Sequence, residues 1–216
     1  LPKPCPWRRS EMRPRAHAPV FLALLLAAAS PAFAQTAAGA RHTAPAQDAA
    51  PLMPRYLLMD VQGRAVTHED FRGRFQLVSF GFVSCPDVCP TTLLEFKHVL
   101  ELLGREAQRL QPIFITVDPE RDTRAVLRDY TAAFDPRILA LTGSPELIRR
   151  AADSFRIQYE KVREPGAAPE NYTMNHTAGM VLLDGQGRFV ARFAYAMPAA
   201  EIVQRIRAAM GADGAR

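Results

Sequence analysis

The stretch Phe75-Gln-Leu-Val-Ser-Phe-Gly-Phe-Val-Ser-Cys-Pro-Asp-Val-Cys-Pro-Thr-Thr-Leu-Leu-Glu-Phe96 combines a strand signal, two cysteines and a helix signal. Its first eight residues are almost continuously apolar, which is typical of a buried parallel strand. Apolar residues from Leu93 onward recur at helical spacing and predict a helix over about 91–109. Cys85 and Cys89 therefore lie just after a central strand, at the edge where open α/β sheets usually place their chemistry.

The rest of the chain continues this alternation of strands and helices. An α/β sandwich is therefore predicted, with a central mixed sheet flanked by helices. Ser144 and Pro145 suit the N-cap and first position of a helix. Asp184-Gly-Gln-Gly187 is a hairpin signal. The further predicted strands are 56–59, 112–117, 138–141, an edge strand at 158–162, 177–183 and 188–193, and the further predicted helices are 123–134, 145–155 and 198–210.

The charge of the chain is unevenly distributed. The 216 residues include 27 Lys and Arg and 22 Asp and Glu, for a net charge of +5. Five of these basic residues and one acidic residue lie in residues 1–34, so the remainder carries 22 basic against 21 acidic side chains. This balance does not favour nucleic-acid binding, because affinity for phosphates comes mostly from a surplus of Lys and Arg.

Residues 1–34 have the pattern of a secretory signal peptide. A basic stretch after Met12 precedes a ten-residue apolar run, Val20–Ala29, and then Ala32-Phe-Ala34. The run is shorter than the roughly 20 residues that a spanning helix needs. We therefore expect cleavage after Ala34 and export to an oxidising compartment such as a bacterial periplasm, with a retained membrane anchor as the alternative. Residues 35–54, rich in Ala, Pro, Thr and Gln, are predicted to be a flexible tether before a single domain over 55–216.

The spacing of Cys85 and Cys89 is compatible with two kinds of chemistry. On a helical turn, residues four apart place their Cβ atoms about 5–6 Å from each other. A disulfide is reachable from there with local adjustment, and so is a shared metal ion. The helix N-terminus should stabilise a thiolate, especially at Cys89. The pair is therefore predicted to be either a redox pair or part of a metal site.

A metal site would need a third ligand, and the predicted mature chain offers four histidines. His42 lies in the tether, His68 lies near a predicted loop, and His98 shares a helix face with two glutamates. His176 immediately precedes an apolar strand, where it can face a pocket formed by strand ends. From spacing alone, His176 is either a ligand or an ordinary loop or core histidine.

Three segments together resemble the Sco/SenC family. Phe80–Thr92 is similar to the copper motif of these proteins, and Thr116-Val-Asp-Pro-Glu-Arg-Asp-Thr123 is similar to their second signature. Tyr172-Thr-Met-Asn-His-Thr177 lies where they have a ligand histidine. The order and spacing of all three match, and the similarity extends over about 55–210.

The resemblance implies a thioredoxin-like fold with an inserted β-hairpin and copper bound by Cys85, Cys89 and His176. It also implies a role in building the binuclear copper centre of cytochrome c oxidase, with subunit II of the oxidase or another copper chaperone as partner. Thiolates select Cu(I), and imidazole suits both oxidation states of copper. Cu(II) would want a further ligand, for which Asp118 and Asp87 are candidates, although a turn and a helix terminus also explain them. Met174 and Met180 flank the histidine and are expected to pack in the core.

Three features depart from the family pattern. Asn175 stands where an Asp commonly precedes the histidine, and Val83 replaces a commoner Thr. Members of the family are often membrane-anchored, whereas this chain has the pattern of a cleavable signal peptide.

The main alternative function is a thiol–disulfide oxidoreductase, with Cys85 and Cys89 as its redox pair, that reduces the cysteines of the oxidase copper site. A thiol peroxidase would need only one low-pKa cysteine. Metal binding requires His176, and disulfide exchange does not.

Overall fold

A computed structural model describes residues 52–214. The predicted signal peptide and nearly all of the predicted tether lie outside the described residues. The strands of the described part are β1 (Leu57–Asp60), β2 (Ala65–Thr67), β3 (Phe75–Gly81), β4 (Leu110–Thr116), β5 (Leu139–Thr142), β6 (Tyr159–Val162), β7 (Thr173–His176), β8 (Met180–Leu183) and β9 (Phe189–Phe193). The α-helices are α1 (Val88–Leu103), α2 (Arg124–Ala132), α3 (Pro145–Ser154) and α4 (Ala199–Gly214).

Seven strands form one mixed sheet in the order β2-β1-β5-β4-β3-β8-β9. β3, β4 and β5 run parallel at its centre, and the strands outside them pair antiparallel. β6 and β7 form a separate two-stranded antiparallel sheet, which is a hairpin inserted between α3 and β8. The predicted sandwich with a central mixed sheet and an inserted hairpin is thus confirmed.

Alternate side chains of the central strands enter two different cores. Phe75 and Leu77 of β3 pack with Leu93 and Phe96 of α1, on the face that α4 also covers. Val78 and other residues of the opposite face pack against α3. Burying both faces explains the continuous apolar runs of β3 and β4, because every residue of the two strands except the half-buried Gln111 is buried.

Helix α1 begins earlier than predicted and ends earlier too. It starts at Val88, so that Pro90 lies in its first turn, where an amide would have no helical partner and proline is tolerated. Gly104 ends it with a positive φ of 55°, which glycine adopts without strain, and residues 104–109 continue as a 3-10 helix. The predicted Ser144 cap of α3 is confirmed, since its side chain accepts from the amide of Leu147.

The predicted strand over 177–183 is partly wrong. The strand β8 begins only at Met180, and the residues before His176 form β7 of the hairpin. Gly179 interrupts the segment with φ of +102°, and a Cβ there would lie 2.3 Å from the carbonyl oxygen of Phe193. The turn at Gly179 separates the sheet that contains β8 from the hairpin that contains His176. Within residues 52–214, no helix is both long enough and apolar enough to cross a bilayer.

Candidate metal centre

The cysteine loop, residues 82–87, connects the end of β3 to the start of α1. Cys89 lies in the first turn of α1 and is 1% exposed, whereas Cys85 is half-buried; both are free thiols. The amide of Cys89 donates to Sγ of Cys85 over 3.4 Å, and the amide of Phe82 donates to Sγ of Cys89 over 3.4 Å. The start of the helix therefore holds both sulfur atoms with backbone donors.

A glycine makes room for the buried sulfur. A Cβ at Gly81 would lie 2.8 Å from Sγ of Cys89 and 2.7 Å from the ring of Phe114. Real Cβ atoms essentially never approach heavy atoms so closely. The last residue of β3 must therefore lack a side chain for Cys89 to reach its observed position.

The expected stabilisation of a Cys89 thiolate by the helix terminus is wrong for the metal-free protein. Burial raises the pKa of the Cys89 thiol far above its ordinary value, and this effect outweighs the amide of Phe82, which lowers the pKa. A charge at this depth loses more hydration free energy than one amide donor returns. A metal that binds Cys89 must therefore displace its proton.

His176 reaches the sulfur of Cys89 from the hairpin. Its Nε2 lies 3.6 Å from Sγ of Cys89, and its Nδ1 lies 3.1 Å from the carbonyl oxygen of Thr177. Since a carbonyl only accepts, Nδ1 bears the proton and Nε2 presents its lone pair toward the sulfur. The ring of Phe82 packs edge-on at 6.0 Å, and burial lowers the pKa of His176, so the imidazole is neutral. A neutral, oriented imidazole beside a thiol is a pair of donors that copper accepts once the thiol is deprotonated.

The three predicted ligands are only partly assembled. Cys89 and His176 are in contact, and Cys85 joins them through the amide of Cys89. Among the described residues, no three His, Cys, Asp or Glu side chains already form a metal-binding group. Two sulfur donors and one imidazole nevertheless fit copper by chemistry, and only Cys89 of the three is fully buried.

The two carboxylates considered as extra ligands have other partners. Asp118 is buried, pairs with Arg121 and accepts a hydrogen bond from the hydroxyl of Tyr172. Asp87 is exposed at the N-cap of α1, where Tyr195 donates to it over 3.4 Å. Neither contact involves a cysteine or His176.

The other candidate donors lie elsewhere. Met174 and Met180 are 8% and 3% exposed and belong to two different cores, so the expected core packing is confirmed. His98 lies on the outer face of α1 near Glu95, and His68 packs against the ring of Tyr56. His42 lies outside the described residues.

Sequence reasoning missed the structural importance of Asp122. This residue is 1% exposed, and its Oδ2 accepts from the hydroxyl of Thr116 over 2.6 Å and from the amide of Val83 over 3.1 Å. Burial raises its pKa to about 6. Asp122 thereby ties the acidic loop, residues 117–123, to the cysteine loop. The signature over 116–123 contained the signal, but spacing does not distinguish Asp122 from Asp118.

Comparison with known proteins identifies the family. The SCO1/SenC family model matches residues 44–211, which include every residue of the site just described. The chain belongs to the SCO1/SenC family. It is 36% identical over 147 residues to the SCO2-like protein RP587 of Rickettsia prowazekii, an alignment that covers 68% of this chain and 71% of that protein.

Two solved structures of Sco proteins resemble this fold. ScoI of Bradyrhizobium japonicum with copper bound is 39% identical, with a TM-score of 0.64 over 71% of this chain and 96% of that one. Yeast Sco1 with copper bound is 33% identical, with a TM-score of 0.65 over 72% of this chain and 86% of that one. The architecture is therefore the thioredoxin-like sandwich of the Sco proteins.

Proposed function

We propose that this protein binds one copper ion through Cys85, Cys89 and His176 and acts as a copper-delivering assembly factor. The observation that carries the proposal is the 3.6 Å approach of Nε2 of His176 to Sγ of Cys89, two atoms whose residues are 87 positions apart. Only the fold brings these donors together. Thiolate and imidazole are ligands that copper accepts in both of its common oxidation states.

The accessibility of the donors suits transfer of the metal rather than permanent storage. Two sulfurs and one nitrogen can hold Cu(I) in a three-coordinate site, which leaves one side open to a ligand from a partner. Cys89 is fully buried, whereas His176 and Cys85 are half-buried, and Cys85 lies between the exposed residues Ser84 and Pro86. Copper is thus the cargo of this site, and release can begin at Cys85.

The membership of the family supports a role in oxidase assembly. A further Sco protein is described as a member of the Sco family of cytochrome c oxidase assembly proteins, and two relatives have been solved with copper bound. We propose that this chain delivers copper to, or prepares, the binuclear copper centre of cytochrome c oxidase. Its partner would be subunit II of the oxidase or another copper chaperone.

A second function, thiol–disulfide exchange, is favoured by the unequal exposure of the two cysteines. In this reaction the Cys85 thiolate attacks a disulfide of the partner and forms a mixed disulfide. Cys89 then attacks Cys85, which releases the partner as a dithiol and leaves a Cys85–Cys89 disulfide. Two electrons pass to the partner. We do not propose a thiol peroxidase, because that reaction would leave His176 without a role.

A copper titration of the reduced protein tests the proposal directly. One Cu(I) should bind per chain in competition with a chromophoric chelator, because the site has one pair of thiolates. Cys85→Ser or Cys89→Ser should abolish tight binding, and His98→Ala, on the outer face of α1, should not. Full Cu(I) affinity in either of the first two variants would show that the site is misassigned.

Export is a separate proposal. We propose that the chain is secreted to the periplasm and cleaved after Ala34, close to the membrane where an oxidase would be assembled. Mass spectrometry of the periplasmic protein should then find Gln35 at its N-terminus. A full-length chain retained in the membrane would instead indicate an anchor.

A further inference from the structure

The hairpin that presents His176 is not part of the main sheet. β6 pairs only with β7 among the described strands, with Tyr159 opposite His176 and Val162 opposite Thr173. The position of His176 relative to Cys89 must therefore be set by contacts between the hairpin and the rest of the domain. Backbone pairing within the hairpin cannot fix that distance.

Tyr172, the residue just before β7, makes several of these contacts, beside the core packing of Met174 and the salt bridge from Lys161 to Glu120. Its hydroxyl donates to Oδ1 of Asp118 over 2.8 Å. The guanidinium of Arg121 lies over its ring, 3.8 Å from the ring centre, and the ammonium of Lys161, on β6 of the same hairpin, lies 4.2 Å from that centre. Arg121 also donates to the carbonyl oxygen of Tyr172 over 2.9 Å. Hydrogen bonds to charged groups and cation–π contacts are each stronger than ordinary surface contacts.

The acidic loop that receives Tyr172 also holds the cysteine loop. Asp118, the acceptor for Tyr172, lies in the same turn as Asp122, whose carboxylate accepts from the amide of Val83. The amide of Asp118 donates to Thr116, and Thr116 in turn donates to Asp122. One short, buried network thus reaches the hairpin on one side and the cysteine loop on the other.

We infer that Tyr172 is a positioning residue for the metal site, which latches the β6–β7 hairpin to the acidic loop and thereby fixes His176 against Cys89. This inference rests on the proposed function, since it assigns Tyr172 a role in copper coordination by His176. Tyr172 does not itself touch the sulfur atoms. Its effect is on the fraction of time that the imidazole occupies the binding position. Cu(II) affinity should depend more on this fraction than Cu(I) affinity does, because two thiolates already suit Cu(I).

Tyr172→Phe is the decisive variant, because it removes the hydroxyl and keeps the ring that contacts Arg121 and Lys161. Tyr159→Phe is the matched control. Tyr159 lies on the same hairpin under the guanidinium of Arg149 at 3.8 Å, but its hydroxyl has no hydrogen-bond partner within residues 52–214. Amide hydrogen exchange of Thr173–His176 in the metal-free protein and the visible and EPR spectra of the Cu(II) form are measured for both.

We expect Tyr172→Phe to speed exchange in Thr173–His176 by about tenfold, the low end of what a hydrogen bond to a charged group contributes. Its Cu(II) affinity should fall by a similar factor with altered Cu(II) spectra, while its Cu(I) affinity changes less. Tyr159→Phe should match the wild type in every measurement. Equal behaviour of the two variants, or faster exchange with an unchanged Cu(II) site, would overturn the inference. If the wild type bound no copper, the proposed function would fail, whereas exchange would still report whether Tyr172 latches the hairpin.

Discussion

Sγ of Cys89 and Nε2 of His176 lie 3.6 Å apart, at the junction between the start of a helix and the end of a hairpin strand. The helix follows strand β3 of the central sheet, whereas the two strands of the hairpin pair only with each other. The site is therefore assembled from two parts of the molecule that are held by different interactions.

The imidazole should matter more to Cu(II) than to Cu(I). We predict that His176→Ala weakens Cu(II) binding by more than about 100-fold, the upper end of the loss for a group that only supports a ligand. Cu(I) binding should weaken less, because the two thiolates remain. The Cys85–Cys89 disulfide should still form and be reduced, since exchange depends on the thiols. Isothermal titration and thiol labelling measure these effects.

His98→Ala is the control for this prediction. His98 is 43% exposed on α1 and near Glu95, so its loss should leave both copper affinities unchanged. Circular dichroism must show that His176→Ala is folded, since the substitution also removes the edge contact with Phe82. Unchanged Cu(II) affinity in folded His176→Ala would remove His176 from the site and favour the oxidoreductase function.

Local patterns were sufficient to predict most of the elements but not their arrangement. The apolar runs of β3 and β4 and the Ser144 cap depend on neighbours in sequence, and these predictions are confirmed. The order of the sheet and the separate hairpin depend on long-range pairing, which no local pattern encodes. The strand predicted over 177–183 failed because one left-handed glycine, Gly179, divides it.

The candidate site shows the same division between local and tertiary information. Spacing alone identified Cys85 and Cys89 but left His176 open, because its approach to Cys89 is made by the fold. The expected thiolate at Cys89 is wrong for the metal-free protein because burial, a tertiary property, raises the pKa of this thiol. Asp122 differs from Asp118 only in its partners, Thr116 and Val83, and these became visible only in three dimensions.

The close approach at Gly81 predicts a specific packing defect. Gly81→Ala would place a methyl group against Cys89 and Phe114, and we expect a loss of about 1–3 kcal/mol in the free energy of unfolding, as for other overpacked cores. Displacement of the sulfur should also weaken copper binding. Urea denaturation and copper competition measure the two effects.

Gly211→Ala is the matched control for this substitution. No atom lies within 4 Å of a Cβ at that position in α4. Alanine should therefore stabilise the helix by about 0.5–1 kcal/mol and leave copper affinity unchanged. Equal stability of the two variants would mean that β3 and α1 relax to admit a side chain.

The buried carboxyl of Asp122 predicts a pH dependence of stability. Its pKa is raised by burial from 3.8 to about 6, so the folded state binds this proton more tightly than the unfolded chain. Its contribution is therefore fully present below about pH 4 and is lost as the pH rises through 6, a change of up to about 3 kcal/mol.

Other carboxyls, Asp60 and Asp135, have lowered pKa values and act in the opposite direction. The quantity to measure is therefore the difference in unfolding free energy between wild type and Asp122→Asn, from urea melts between pH 4 and 7. As the pH rises, the wild type should lose stability relative to Asp122→Asn. Asp129→Asn, at an exposed site on α2, should show no such shift. A constant difference for Asp122→Asn would show that the Asp122 carboxyl does not titrate in this range.

The unequal exposure of the cysteines predicts the order of their reactions. Only the thiolate is nucleophilic, and Cys89 is 1% exposed with a pKa raised by burial, whereas Cys85 is half-buried. Iodoacetamide should therefore modify Cys85 first in the reduced, metal-free protein, as peptide mass spectrometry would show. In denaturant the preference should disappear, because its cause is the fold.

With glutathione disulfide, Cys89→Ser should accumulate a mixed disulfide at Cys85, since the second thiol that would release it is absent. Cys85→Ser should accumulate little at Cys89. A mixed disulfide that forms faster on Cys89 than on Cys85 would reverse the assigned roles and would require the hairpin to open before any exchange.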